Sequence, residues 1–249
     1  VPPGLPQQAG ATALSKEAAL AQSPRLRIET ERLSGSVALR GARFDDLVLT
    51  KYRETLQPSS PQIRLFHPTG TELAYFAEYG WVVPQGQTIK VPDRDTLWTA
   101  SAPVLSANSP VTLTWDNGEG LVFRRELKLD DHYMFTIKEQ VVNNTGGPIA
   151  LQPYARIFRS GEPKIEGWII MHEGPIGFLS PDDKNGLKEI HYSDLKKAAE
   201  TSLKDRRIPV GENAFPNVKG GWFGFTDKYW AATLIPDQHT IHPAHALGF

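Results

Sequence analysis

Adjacent acidic residues occur at Asp45-Asp46, Asp130-Asp131 and Asp182-Asp183, and paired carboxylates are the usual equipment for general acid/base work. Neighbouring side chains on a strand face opposite ways, however, and all three pairs read as lying at chain reversals, where aspartate bonds its own backbone. Turn chemistry is the favoured reading. His239, His242 and His245 recur every third residue, which on a helix would place them on one face as metal ligands. Pro243 opposes a helix there, so no metal site is assigned. His67 precedes Pro68 and His132 lies in a turn, and neither has an obvious carboxylate to orient its ring. No Ser-centred elbow, phosphate-cradling glycine loop or zinc spacing is present. The absence of cysteine removes thiol nucleophiles, thiolate metal sites and disulfides.

Two clusters suit binding better than catalysis. Tyr75, Phe76, Tyr79 and Trp81 form a dense aromatic group. Its favoured role is to plug one end of a β core, and the alternative is to line an apolar cleft for a ligand. Lys196, Lys197, Lys204, Arg206 and Arg207 are the densest basic cluster, on and just after a predicted helix from Ser193 to Lys204 with Ser193 as N-cap. Lysines near a helix C-terminus complement the macrodipole, and they equally suit a docking face.

The elements that must position these residues are mostly strands. From Val111 to Phe158 apolar residues recur every second position between turn formers: Val111, Leu113 and Trp115, then Leu121, Phe123, Leu127 and Leu129, with Arg124, Glu126 and Lys128 on the opposite face. Reversals at Asn117-Gly118, Asp130-Asp131 and Asn143 to Gly147 predict a four-strand meander that needs a second apolar surface to pack on. Phe44 to Tyr52 reads as a strand in the middle of a sheet. Recurrent prolines between Gln57 and Pro110 predict edge strands or long loops, Ile63–Phe66 and Trp81–Val83 among them. Trp168 to Phe178 reads as a strand broken at Gly174-Pro175, and Gly220–Phe225 with Tyr229–Ile235 as a hairpin about Thr226-Asp227. The Pro-, Gln- and Ala-rich residues 1–24 read as a flexible tether, with two turns of helix available between Ser15 and Gln22. Residues 237–249 lack periodicity and read as an irregular tail.

A chain of 249 residues buries roughly three quarters of its unfolded surface, so a large core is available without staples. A formal net charge of −1 with interspersed signs gives no field for nucleic acid. No apolar run approaches the ~18 residues of a membrane span, and no signal-peptide order is present, so the chain reads as soluble.

Gly41-Ala42-Arg43-Phe44-Asp45-Asp46-Leu47-Val48-Leu49 with Tyr52-Arg53-Glu54-Thr55, then Ala77–Trp81, Arg124–Leu129, Gly220-Gly221-Trp222 and Tyr229–Pro236, resemble in order and spacing the large periplasmic domain of the YidC membrane protein insertase in its alphaproteobacterial form. The resemblance spans about Pro24 to Pro236. It implies an all-β, mainly antiparallel β-supersandwich, galactose-mutarotase-like, over residues 25–236, with at least one packed α-helix. It also implies a periplasmic location between two membrane spans of a membrane-embedded whole protein, with further strands after Pro236. No cofactor or metal is implied, and catalysis is not expected. The implied partners are SecDF, through SecF, and SecYEG, together with nascent membrane proteins. The SecF contact is expected between Met171 and Ile235. Two rival readings are a structural spacer and a carbohydrate-binding or aldose-epimerase-like module. The epimerase needs a histidine acid and a glutamate base, and the short motif around that histidine is missing.

Overall fold

The computed structural model describes residues 13–161, 172–179, 186–197 and 214–246. Strands dominate, mainly antiparallel, and the residues fall into two compact units, Val1–Ser160 and Gly161–Phe249.

In the first unit the alternating pattern does what period two dictates. β8 (Val111–Asp116), β9 (Leu121–Leu129) and β10 (Phe135–Asn143) pair antiparallel, and Val111, Leu113, Leu121, Phe123, Leu127 and Leu129 are buried on one face. The turns use the predicted chemistry. Asn117 Oδ1 accepts from the Glu119 and Leu121 amides, Asp130 Oδ1 from His132 and Met134, and Asn143 Oδ1 from Thr145. β6 (Thr99–Ala100) completes a four-stranded sheet in the order β10-β9-β8-β6.

The expected fourth strand of the meander departs. β11 (Gln152–Arg159) pairs instead with β5 (Tyr75–Val82) in a seven-stranded sheet, alongside β3 (Arg43–Arg53), β2 (Leu33–Ala38), β1 (Arg25–Glu29) and β7 (Val104–Leu105). β5 offers what β10 does not: Phe158 lies opposite Phe76 with ring centroids 5.0 Å apart, and Arg156 lies opposite Glu78 with N···O 2.6 Å. β4 (Gln62–Phe66) is an edge strand on β3, as its flanking prolines require. Trp81, in contrast, sits in a central strand rather than at an edge, because Pro68 and Pro84 fall outside both ends of β5.

β3 is the axis of this sheet. At its start Gly41 and Ala42 turn the chain with φ of 76° and 48°. Facing it, Gly35 has φ 144°, and a Cβ there would stand 2.1 Å from the Asp46 carbonyl oxygen, so only glycine lets β2 approach. The inner faces of the two sheets meet through Leu26, Ile28, Leu33, Val37, Phe44 and Leu47 on one side and the β9 residues on the other, with Phe44 edge-on to Phe135 and Trp81 edge-on to Phe123. Ahead of the sheet, α1 (Lys16–Leu20) is capped by Ser15, whose side chain accepts from Ala18 N at 3.2 Å, and it buries Ala19. Of the stretch read as a tether, residues 13–24 thus include the short helix that the sequence allowed, and the rest lies outside the described residues.

In the second unit β12 (Gly174–Phe178), β13 (Leu187–Glu189), β15 (Trp222–Thr226) and β16 (Ala231–Leu234) form a sheet in the order β13-β12-β15-β16. β12 starts at the Gly-Pro that was expected to break it, and the predicted last hairpin closes through Asp227 N to Trp230 O at 2.7 Å. β14 (Ala214–Lys219) pairs with β17 (Ile241–His245). The irregular tail therefore holds a strand, which Pro243 had obscured; Val218 and Ala244 of this pair pack with Leu179, and Phe215 and Phe223 lie against them.

Candidate functional site

The inward face of β9 carries a charge. Arg125 falls in phase with Leu121, Phe123, Leu127 and Leu129 and is 0% exposed. Its guanidinium donates to the Ala42 carbonyl at 3.0 Å and the Tyr79 carbonyl at 2.9 Å, and its Nε donates to Glu139 of β10. The group lies over the rings of Tyr79, Trp81 and Trp98 at 5.4, 5.9 and 5.1 Å. Burial pushes the Glu139 carboxyl up, and Arg125 beside it offsets this only in part. The same burial pushes the Tyr79 phenol up to about 12, so it stays neutral. The alternation predicts this inward place for residue 125, yet the expected apolar set passes over it.

Of the aromatic cluster, Tyr79 and Trp81 pack against this arginine, while Phe76 lies under Arg43 and Tyr75 under Arg159. Tyr75, Phe76 and Trp81 are 3%, 1% and 5% exposed, so they are core and not the walls of a ligand cleft. Strand alternation also separates them, with Phe76 on the face opposite Tyr75, Tyr79 and Trp81. Tyr79 edges a crevice with Trp98, Glu78 and Tyr154 whose free volume is about 10 Å³, room for at most one water.

On the other face of the seven-stranded sheet, carboxylates expected at a turn are buried in mid-strand. Asp45 and Asp46 both belong to β3, at 3% and 8% exposure, and the reversal is at Gly41-Ala42 instead. Arg25 pairs with Asp45, while Arg64 and the Ser36 hydroxyl bind Asp46. Glu78 joins Arg156 at 2.6 Å and Arg43 at 3.4 Å, and the Tyr154 hydroxyl donates to it. Burial pushes the Asp45 carboxyl up against the pull of Arg25. These carboxylates are committed to arginines, an arrangement that neutralises charge and leaves them poorly placed to exchange protons with a substrate.

The histidines singled out in the sequence do not come together, although His172 and His191 meet edge-on with ring centroids 5.3 Å apart. His132 does have a carboxylate neighbour, Asp131 Oδ1 at 2.7 Å from Nδ1, but both side chains are about three quarters exposed at 74% and 77%. Among the described residues no group of histidine, aspartate and glutamate has the arrangement of a metal site. His242 and His245 lie on β17, while the His239 amide is held in a turn by Asp237. The expected Asp182-Asp183 turn lies outside the described residues.

Of the basic cluster, Lys196 and Lys197 are exposed on a helix over 192–197, and Lys204, Arg206 and Arg207 lie outside the described residues. The Asp194 and Leu195 amides bond the His191 carbonyl at 3.0 and 3.2 Å. That puts His191 in the cap position, two residues before Ser193, which is itself inside the helix. Leu195 is the buried anchor, and Lys197 leans toward Asp194 at 3.7 Å.

No described helix is long and apolar enough to cross a membrane. Residues 25–246 match the family described as the YidC periplasmic domain. The chain is similar to the membrane protein insertase YidC of Nitrobacter hamburgensis, at 48% identity over 90% of this chain and 34% of the relative. It is also similar to that of Methylobacterium radiotolerans, at 49% identity over 96% and 37%, and to that of Granulibacter bethesdensis, at 44% identity over 92% and 38%. The chain thus spans little more than a third of the length of these relatives.

Proposed function

The chain belongs to the YidC periplasmic-domain family, and on that premise we propose that it supports the insertion and folding of inner-membrane proteins by binding alone, from the periplasmic side of the membrane. The match over residues 25–246 carries this reading. Two features of the site support it. The buried carboxylates Asp45, Asp46, Glu78 and Glu139 serve as ion-pair partners of arginines, and the aromatic cluster is spent on the core. The domain holds components of the Sec machinery, SecDF through SecF and SecYEG, and meets nascent membrane proteins as they emerge. The docking face is the second unit, with Lys196 and Lys197 at its described part and Lys204, Arg206 and Arg207 continuing the basic cluster in sequence.

The test is a pull-down of the domain with purified SecDF and SecYEG at low and high salt. The wild type is expected to retain SecDF at low salt, and a Lys196→Glu/Lys197→Glu/Arg206→Glu variant to lose it while still melting cooperatively. Unchanged retention by that well-folded variant would remove this surface as the electrostatic contact, and no retention by the wild type would favour a structural spacer.

A further inference from the structure

The solvent face of the four-stranded sheet holds a depression of about 320 Å³ lined by Thr112, Thr114, Arg124, Glu126, Lys138 and Gln140. All of these are polar, and four of them come from β8 and β9, whose alternate residues are anchored in the core. The register sets them in rows: Thr114, Arg124 and Gln140 stand side by side across β8, β9 and β10, and Thr112, Glu126 and Lys138 form the adjoining row. With neighbouring strands about 4.8 Å apart, the depression is a fixed grid of donors and acceptors rather than a loop that must be ordered.

Elsewhere in the unit some arginines, such as Arg40 and Arg53, bond backbone carbonyls, and Arg25, Arg64, Arg125 and Arg156 each engage a carboxylate. Arg124 and Lys138 are exposed, and among the described residues neither comes within ion-pair distance of one. Glu126 pairs with Lys128 at 2.8 Å, whose hydrogen bond, with a smaller contribution from the charge of Lys138 opposite it, holds its carboxyl below the usual range, so it stays an acceptor without donors. The surplus is positive, and the lining offers both oxyanion donors and a hydroxyl acceptor. No aromatic ring is present to stack on a sugar, and no apolar wall to receive a hydrocarbon.

We propose that this depression binds a hydroxylated phosphate ester about the size of glycerophosphate. The phosphate oxygens lie between the Arg124 guanidinium and the Lys138 ammonium, and the ester hydroxyls donate to Glu126 and exchange hydrogen bonds with Thr112, Thr114 and Gln140. A simple anion satisfies only the cations, and a neutral polyol only the remainder. The site does not depend on the role in insertion.

Calorimetric titration with sn-glycerol 3-phosphate, with glycerol as the neutral control, tests the site in solution. Co-sedimentation with phosphatidylglycerol and phosphatidylcholine vesicles tests whether the same group is met as a lipid headgroup. Arg124→Gln and Lys138→Gln should each weaken binding about tenfold without moving the melting temperature, because both side chains are exposed. Saturable binding of the soluble ester supports the site as one for a free metabolite. Binding confined to phosphatidylglycerol vesicles and lost in the double variant supports it as a headgroup site. No binding to either, binding retained by the double variant, or glycerol bound as well as its phosphate would overturn it.

Discussion

Arg125 is the residue on which the first unit turns, because its guanidinium ties β9 to the carbonyls of Ala42 and Tyr79 while its partner Glu139 sits on β10. Removing one member of such a pair strands the other charge in the core. Arg125→Ala should therefore lower unfolding free energy by about 3–5 kcal/mol, whereas Arg125→Met with Glu139→Leu should recover much of that loss, as read from urea midpoints. A second residue sets a pH dependence. Burial, and then the charge of Arg64, hold the His67 imidazole below its ordinary value. The unfolded chain then takes the proton first, so this contribution to stability is whole above about pH 6.5 and is lost as pH falls from there toward the folded value. The urea midpoint should decline across that window, and His67→Gln should flatten that part of the curve. The sequence made the turn aspartate Asp130 legible, because its neighbours are all turn formers. Arg125 and the Asp45-Asp46 pair were not, because a charged residue in a buried face is understood only through partners distant in the chain, such as Arg25 and Arg64.

Among the elements, β3 has strands on both sides over much of its length, whereas β6 and β7 contribute two residues each. Hydrogen exchange should follow: amides in the middle of β3 and in β5 should exchange near the rate of global unfolding, and those of β6 and β7 far sooner. Comparable exchange in all of them would contradict the central place of β3. The hairpins β8-β9 and β15-β16 were legible because local turn chemistry and period two agree within a short stretch. The departure of β11 to β5 was not, because strand pairing is decided by a surface many residues away. The pairing of β17 with β14 was missed for a similar reason: Pro243 disrupts the pattern that alternation would otherwise supply.

At the scale of the whole molecule, the chain is an all-β member of the YidC periplasmic-domain family, and its arginine-bound carboxylates are consistent with the binding role proposed above. The domain should leave the anomeric interconversion of glucose and galactose at its uncatalysed rate in polarimetry; an acceleration abolished by His67→Gln or His132→Gln would revive the epimerase reading. The family was legible from motif order, while the partner face was not, since the chemistry of a docking lysine and of a helix-terminal lysine is the same. The most direct measurement is therefore photocrosslinking in inner-membrane vesicles that carry a YidC insertase with this chain as its periplasmic domain and a photoreactive residue at position 196 or 197. An adduct with SecF, weakened by high salt, is the result expected. Vesicles in which neither position yields an adduct with any Sec component, although the domain resists proteolysis as a folded unit, would contradict the binding role.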